Sequence, residues 1–152
     1  MEQGEDLINK WKIPLYKIYT DDEDVNLITK IIRRGTQWAI GPEIEEFENA
    51  IKDFVGANYC ACLNSGTSAL HAAFIAYGFG QNDEIIVPSF SFISTANAAL
   101  FVNSKPVFAD IHHDTVNIDS LEIEKKITKT TKAIIPVHFA GLPCDMEKIS
   151  KI

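Results

Sequence analysis

The stretch Asn64-Ser65-Gly66-Thr67-Ser68-Ala69-Leu70, preceded by the apolar run Tyr59-Cys60-Ala61-Cys62-Leu63, decides how the chain is read. An apolar run, a tight turn containing Gly and a helical run over 69–77 make a strand–turn–helix unit. The first N–H groups of a helix have no acceptor inside it, and the helix dipole adds partial positive charge there. An anion, most often a phosphate, is the natural occupant. Gly66 lets a ligand approach the backbone, and Ser65, Thr67 and Ser68 bring hydroxyl donors. The same residues also suit a simple N-cap by Ser65 or Thr67. The turn alone does not choose between cap and phosphate cradle.

Downstream the chain alternates. Residues 84–87 read as a strand stopped by Pro88, 94–102 as an Ala-rich helix, 106–109 as a strand, 120–127 as a helix and 133–137 as a strand. Asp145 caps a last helix. Short, continuously apolar strands alternating with helices predict an α/β fold, a three-layer αβα sandwich around a mostly parallel sheet. Ligands in such sheets bind beyond the carboxyl ends of the strands. The segments there are 64–67, 89–92, 110–113 and 138–141, and they are polar or aromatic.

Upstream, residues 1–12 are polar and expected to be mobile, and Ile13-Pro14-Leu15 is expected to be extended. Thr20 followed by Asp21-Asp22-Glu23-Asp24 marks a helix start, Val25, Ile28, Ile31 and Ile32 share one face, and Arg33-Arg34-Gly35 ends it. The four acids lack the alternating spacing and closing Glu of a calcium loop. Pro42 opens a second helix with Ile44, Phe47, Ile51 and Phe54 in a stripe, and Gly56 closes it. The loop between them carries Trp38, which is either core or part of a binding mouth. The expected division is an N-terminal helical arm, 1–57, and an alternating region, 58–152.

Of the 152 residues, 46% are hydrophobic and 23% charged, an ordinary globular composition. The net charge of -7, with Lys and Arg scattered apart from two adjacent pairs, argues against nucleic acid as a partner. Cys60, Cys62 and Cys144 show no metal spacing and read as small buried hydrophobes in a reducing compartment. No metal site is expected. No stretch has the length of a membrane span and the acidic N-terminus does not read as a signal peptide, so a cytoplasmic protein is expected.

Ser89-Phe90-Ser91-Phe92 follows a predicted strand end beside the phosphate turn. Two aromatics interleaved with hydroxyls can present a ring face to a flat ligand, although each Phe taken singly reads as core. A phosphate turn together with a flat-ring site suggests a phosphorylated heteroaromatic cofactor. The ordered set 64–70, 83–92, Ala96-Asn97-Ala98, 105–111 and 133–138, with Gly41-Pro42 and Phe47-Glu48 upstream, resembles the DegT/DnrJ/EryC1/StrS sugar aminotransferase family from Ile13 onward.

That resemblance implies fold type I architecture, with 58–152 as an incomplete large domain, and pyridoxal 5′-phosphate as cofactor. It implies transfer of an amino group, usually from glutamate, to a keto carbon of a nucleotide-linked sugar, by a homodimer with active sites between subunits. Carried over by motif, Gly66, Thr67 and Ser68 would hold the cofactor phosphate and Phe92 would stack on its pyridine. His138 lines the substrate side or is a hydrogen-bonded structural histidine. Trp38, on loop 36–41, would reach a partner's site. The Schiff-base lysine and the carboxylate facing the pyridinium nitrogen are expected beyond Ile152, so no catalytic residue is assigned here and the fragment alone is expected to be inactive. A sheet cut at this point is expected to leave an apolar edge. A dehydratase of the same family, with His in place of the lysine, and a non-catalytic truncated homologue remain alternatives. A dinucleotide fold is disfavoured because the turn lacks G-x-G-x-x-G.

Overall fold

The computed structural model describes residues 18–152; the expectations for residues 1–12 and for Ile13-Pro14-Leu15 lie outside them. The chain divides into two compact units, Met1–Cys60 and Ala61–Ile152.

In the first unit, α1 spans Asp22–Arg34 and α2 spans Pro42–Val55. The cap of α1 is Asp21, one residue later than the expected Thr20. Its carboxylate accepts from the N–H groups of Glu23 and Asp24, while the Asp24 side chain accepts from the Asp21 N–H. A carboxylate at that position satisfies two orphan donors and also meets the dipole. Gly35 and Gly56 end the two helices in the left-handed conformation. Arg34 folds the intervening loop by donating to the Thr36 and Gln37 carbonyls and, in a two-pronged pair at 2.7 and 3.1 Å, to Glu43. The guanidinium holds the Glu43 carboxyl below its ordinary value.

In the second unit, α3 (Gly66–Ala76), β1 (Glu84–Pro88), α4 (Ser94–Phe101), β2 (Lys105–Ala109), α5 (Ser120–Lys126), β3 (Thr131–Ile134) and α6 (Met146–Ile149) follow in order. The sheet is wholly parallel, with strand order β2-β1-β3. Side chains alternate across a strand, and β1 uses both faces. Ile85 and Val87 pack with Phe74 of α3 and Ala98 and Ala99 of α4. Ile86 packs with Ala109, Ile118, Ile123 of α5, and Cys144 and Ile149 beside and within α6. Two helices on each side make three layers, as expected. The connection from β1 to β2 steps one way and that from β2 to β3 steps back over β1, so crossovers of one hand require their helices on opposite faces.

Two expected strands differ. Residues 59–63 form no strand among the described residues, and Tyr59 stands exposed. Cys60 is half-buried and Cys62 exposed, leaving Cys144 as the buried cysteine. β3 stops at Ile134 instead of 137. Ile135 still donates to the Ile86 carbonyl at 2.9 Å, but Pro88, which stands where β1 would next donate toward β3, has no N–H to continue the ladder.

Glu84 ties the amino-terminal ends of the strands together. It accepts from Lys105 Nζ at 2.8 Å on β2 and from the Thr128 hydroxyl ahead of β3. These donors pull its carboxyl from an ordinary 4.5 to about 2. A depressed carboxyl stabilises the fold above its unfolded value, and the benefit is lost as pH falls through its folded value. Glu84→Gln is therefore expected to lower the urea midpoint at pH 7, followed by far-UV circular dichroism, with the difference from wild type closing as pH falls from about 4.5 toward about 2. In the first unit, a Cβ on Gly41 would collide with the Arg34 guanidinium and Glu43 carboxylate and lie 2.8 Å from the Gln37 carbonyl. Gly41→Ala should cost about 1–3 kcal/mol, as overpacking does. Trp38 stands on the same loop as Gly41, so far-UV circular dichroism together with tryptophan fluorescence of Trp11→Phe and Trp11→Phe/Gly41→Ala chains during denaturation measures this cost.

Candidate functional site

The α3 helix starts three residues before the expected 69, because Ser65 takes the N-cap. The Ser65 hydroxyl accepts from the Ser68 N–H at 3.1 Å and donates to the Ser68 hydroxyl at 3.0 Å. Gly66 and Thr67 are then the first two helical residues, and their N–H groups have no intrahelical acceptor. No side chain among the described residues caps them. A Cβ built on Gly66 meets nothing within 4 Å, so the approach to these N–H groups is open. The cap consumes one donor, and two donors plus the Thr67 and Ser68 hydroxyls remain among the described residues, so the cap does not use up the turn.

The direction of α3 follows from its other end. The α3–β1 connection is held beside the start of β2, where the Ser104 hydroxyl donates to the Gly80 carbonyl at 2.9 Å. An 11-residue helix and a five-residue strand are each about 16 Å long. The N-terminus of α3 therefore faces the carboxyl-terminal edge of the sheet, where the loops after β1, β2 and β3 also lie.

At that edge neither Phe of the 89–92 segment is core. Phe90 is 52% exposed and lies against the Phe139 ring, with centroids 5.1 Å apart. Phe92 is 75% exposed, and its ring has no aromatic partner among the described residues. An apolar ring held in solvent by an ordered loop is available to stack on a flat ligand. Ser89 donates to the Asp110 carboxylate at 3.1 Å, which joins the loops after β1 and β2.

His138 lies after β3, and its Nδ1 accepts from the Cys144 N–H at 3.0 Å. The structural role weighed for it is thus present. An accepting Nδ1 places the ring proton on Nε2, which leaves that atom as a neutral donor on an exposed side chain. Trp38 is 66% exposed on the loop that Arg34 folds in the first unit. Sequence reasoning missed Asn117 and Phe139. Asn117 carries no motif signal of its own, and the aromatic contact of Phe139 pairs it with Phe90, far away along the chain.

None of the lysines on the strands stands at this edge: Lys105 begins β2 and is paired with Glu84, and Lys132 is the second residue of β3. Lys125 and Lys148 are paired with Glu122 and Asp145, which raise their pKa values. A raised pKa disfavours the neutral amine that nucleophilic chemistry requires. A separate concavity, lined by His112, Asn117, Asp119, Cys144 and Lys148, includes neither Gly66 nor Phe92. Among the described residues there is no cluster able to hold a metal and no helix long and apolar enough to cross a membrane.

The DegT/DnrJ/EryC1/StrS aminotransferase family model matches residues 19–152. The UDP-2-acetamido-2-deoxy-3-oxo-D-glucuronate aminotransferase of Pseudomonas aeruginosa is 42% identical over 125 residues, 82% of this chain and 34% of that protein. The spore coat polysaccharide biosynthesis protein SpsC of Bacillus subtilis is 41% identical over 128 residues, 84% of this chain and 32% of that protein. Among solved structures, Spr1654 of Streptococcus pneumoniae in its PLP-form superposes with a TM-score of 0.84 at 30% identity, over 93% of this chain and 36% of that one. The chain thus spans about a third of the length of these relatives.

The cap is testable directly. Ser65→Ala removes the acceptor for the Ser68 N–H and should cost about 1 kcal/mol, while Ser65→Asn should keep most of it. Urea denaturation followed by far-UV circular dichroism measures both.

Proposed function

The chain belongs to the DegT/DnrJ/EryC1/StrS aminotransferase family, and from that premise we propose that it is the N-terminal part of a pyridoxal-phosphate enzyme that transfers an amino group from glutamate to a keto carbon of a nucleotide-linked sugar. The observation that carries the reading is the open N-terminus of α3, with the unpaired N–H groups of Gly66 and Thr67 at the same sheet edge as the exposed Phe92 ring. The Gly66 and Thr67 N–H groups and the Thr67 and Ser68 hydroxyls hold the cofactor phosphate, with the helix dipole favouring its charge. Phe92 covers one face of the pyridine ring. Bound there, pyridoxal phosphate supplies an electron sink for the carbon that gains or loses the amino group.

His138 Nε2–H and Trp38 are proposed as substrate contacts. Residues 1–57 act as a helical arm and 58–152 as part of the cofactor-binding domain. The working form is a cytoplasmic homodimer serving cell-surface polysaccharide or deoxyamino-sugar synthesis. With the strand lysines away from the carboxyl-terminal edge and Lys148 paired with Asp145, the 152-residue chain binds and orients but does not turn over.

The test is an NMR titration of the chain with pyridoxal phosphate, with inorganic phosphate and with pyridoxal. Both phosphorylated ligands should shift the Gly66 and Thr67 amides, and pyridoxal phosphate should also shift the Phe92 ring. Pyridoxal should leave the two amides in place. No response at Gly66 and Thr67 defeats the cofactor reading. In a glutamate-dependent amination assay the same chain should show only background, and turnover above it would show that the chain is catalytic alone.

A further inference from the structure

Asn117 is buried, at 4% exposure, and both ends of its amide are used on one distant segment. Its Nδ2 donates to the Leu142 carbonyl at 3.0 Å and the Pro143 carbonyl at 3.2 Å, and its Oδ1 accepts from the Phe139 N–H at 2.9 Å. Two donors and one acceptor thus replace a ladder that the loop after β3 does not have. The loop's other bonds are local: Gly141 N–H donates to the His138 carbonyl, Leu142 N–H to the Phe139 carbonyl and Cys144 N–H to His138 Nδ1. They hold Ala140 and Gly141 at positive φ, whereas Asn117 ties the loop to a distant segment. Asn117 is delivered by a hairpin in which Ile111 bridges Ile118 and Val116 lies at a φ of 61°. A β-branched residue in that region is strained, a cost tolerated only where surrounding bonds fix it. Here the fixing bonds are Val116 N–H to the His112 carbonyl and His112 N–H to the Asn117 carbonyl, each 2.8 Å.

The segment that Asn117 grips carries Phe139, whose ring meets Phe90 on the loop that also carries Phe92. We propose that Asn117 is a positioning residue: it fixes the 139–143 turn and, through the Phe139–Phe90 ring contact, sets the 89–92 loop at the carboxyl-terminal edge. Its functional meaning rests on the cofactor reading of that edge, but the coupling itself does not.

The experiment compares amide and aromatic-ring NMR spectra of wild type, Asn117→Ala and Asn117→Asp, each against wild type at the same pH. Asn117→Asp keeps an acceptor for Phe139 but turns two donors into a charge facing two carbonyls, which raises its pKa. The result expected is a set of shifts at both 139–143 and 89–92 in each variant near neutral pH. In Asn117→Asp both sets should move back toward wild type together as acid returns a proton, and with it one donor, to the carboxyl. Glu84 keeps its charge down to about 2, so the strand ends remain tied during that titration. Shifts confined to 139–143 would overturn the proposal. So would loss of signals throughout the second unit in Asn117→Ala without acid recovery at 89–92 in Asn117→Asp, which would mark a purely structural role. Adding pyridoxal phosphate separates the two ideas: no response in wild type counts against the cofactor reading and leaves the measured coupling standing.

Discussion

Burial of β1 on both faces is the constraint from which the second unit follows. Ile85, Ile86 and Val87 are fully shielded from solvent, and each such side chain is worth roughly 1.5–3 kcal/mol against exposure. A strand with apolar residues at consecutive positions cannot leave either face in water, so helices must cover both. Parallel pairing to β2 and β3 also forces every connection to run from the carboxyl-terminal edge back to the amino-terminal edge. The loops after all three strands therefore gather at one edge without any residue being selected to bring them there, and the start of α3 joins them because its end is held at the other.

The chemistry of the sheet is divided between the two edges. At the amino-terminal edge Glu84 is saturated by Lys105 and Thr128 and is a structural clamp. At the carboxyl-terminal edge the polar groups are only partly satisfied. Among the described residues, Ser65 caps one N–H of α3 and leaves two, Phe90 has a ring partner and Phe92 does not, and His138 uses one nitrogen and keeps the other. The donors, ring and imidazole nitrogen left open among the described residues set this edge apart from the clamped amino-terminal one.

The first unit follows a different economy. Both of its helices have well-formed caps and amphipathic stripes, yet neither contains a buried residue. Capping bonds and the Arg34 fork fix their local geometry. The exposed stripe of Val25, Ile28 and Ile32 shows that pattern alone places apolar residues on one face without supplying what covers them.

The amino-acid sequence by itself determined the helices, though not every one of their starts, the period of the strands, the three-layer class and the motif set of the family. Those depend on hydrogen bonds and steric preferences within a few residues: Asp21, Asp119 and Asp145 each cap a helix they precede, and Gly35 and Gly56 take the left-handed turn at a helix end. The positions of Gly66 and Phe92 were legible for the same reason, since a turn and a strand end announce themselves locally. Only the tertiary structure decided that β1 lies between β2 and β3, that 59–63 forms no strand among the described residues, that the β1–β3 ladder ends at Pro88, and that Phe90 has a ring partner where Phe92 has none among the described residues. It alone placed Asn117 on a segment 22–26 residues away and Glu84 beneath Thr128, 44 residues on. These are choices of partner between distant segments, and a local pattern shows that a group needs a partner without showing which one folding will bring to it.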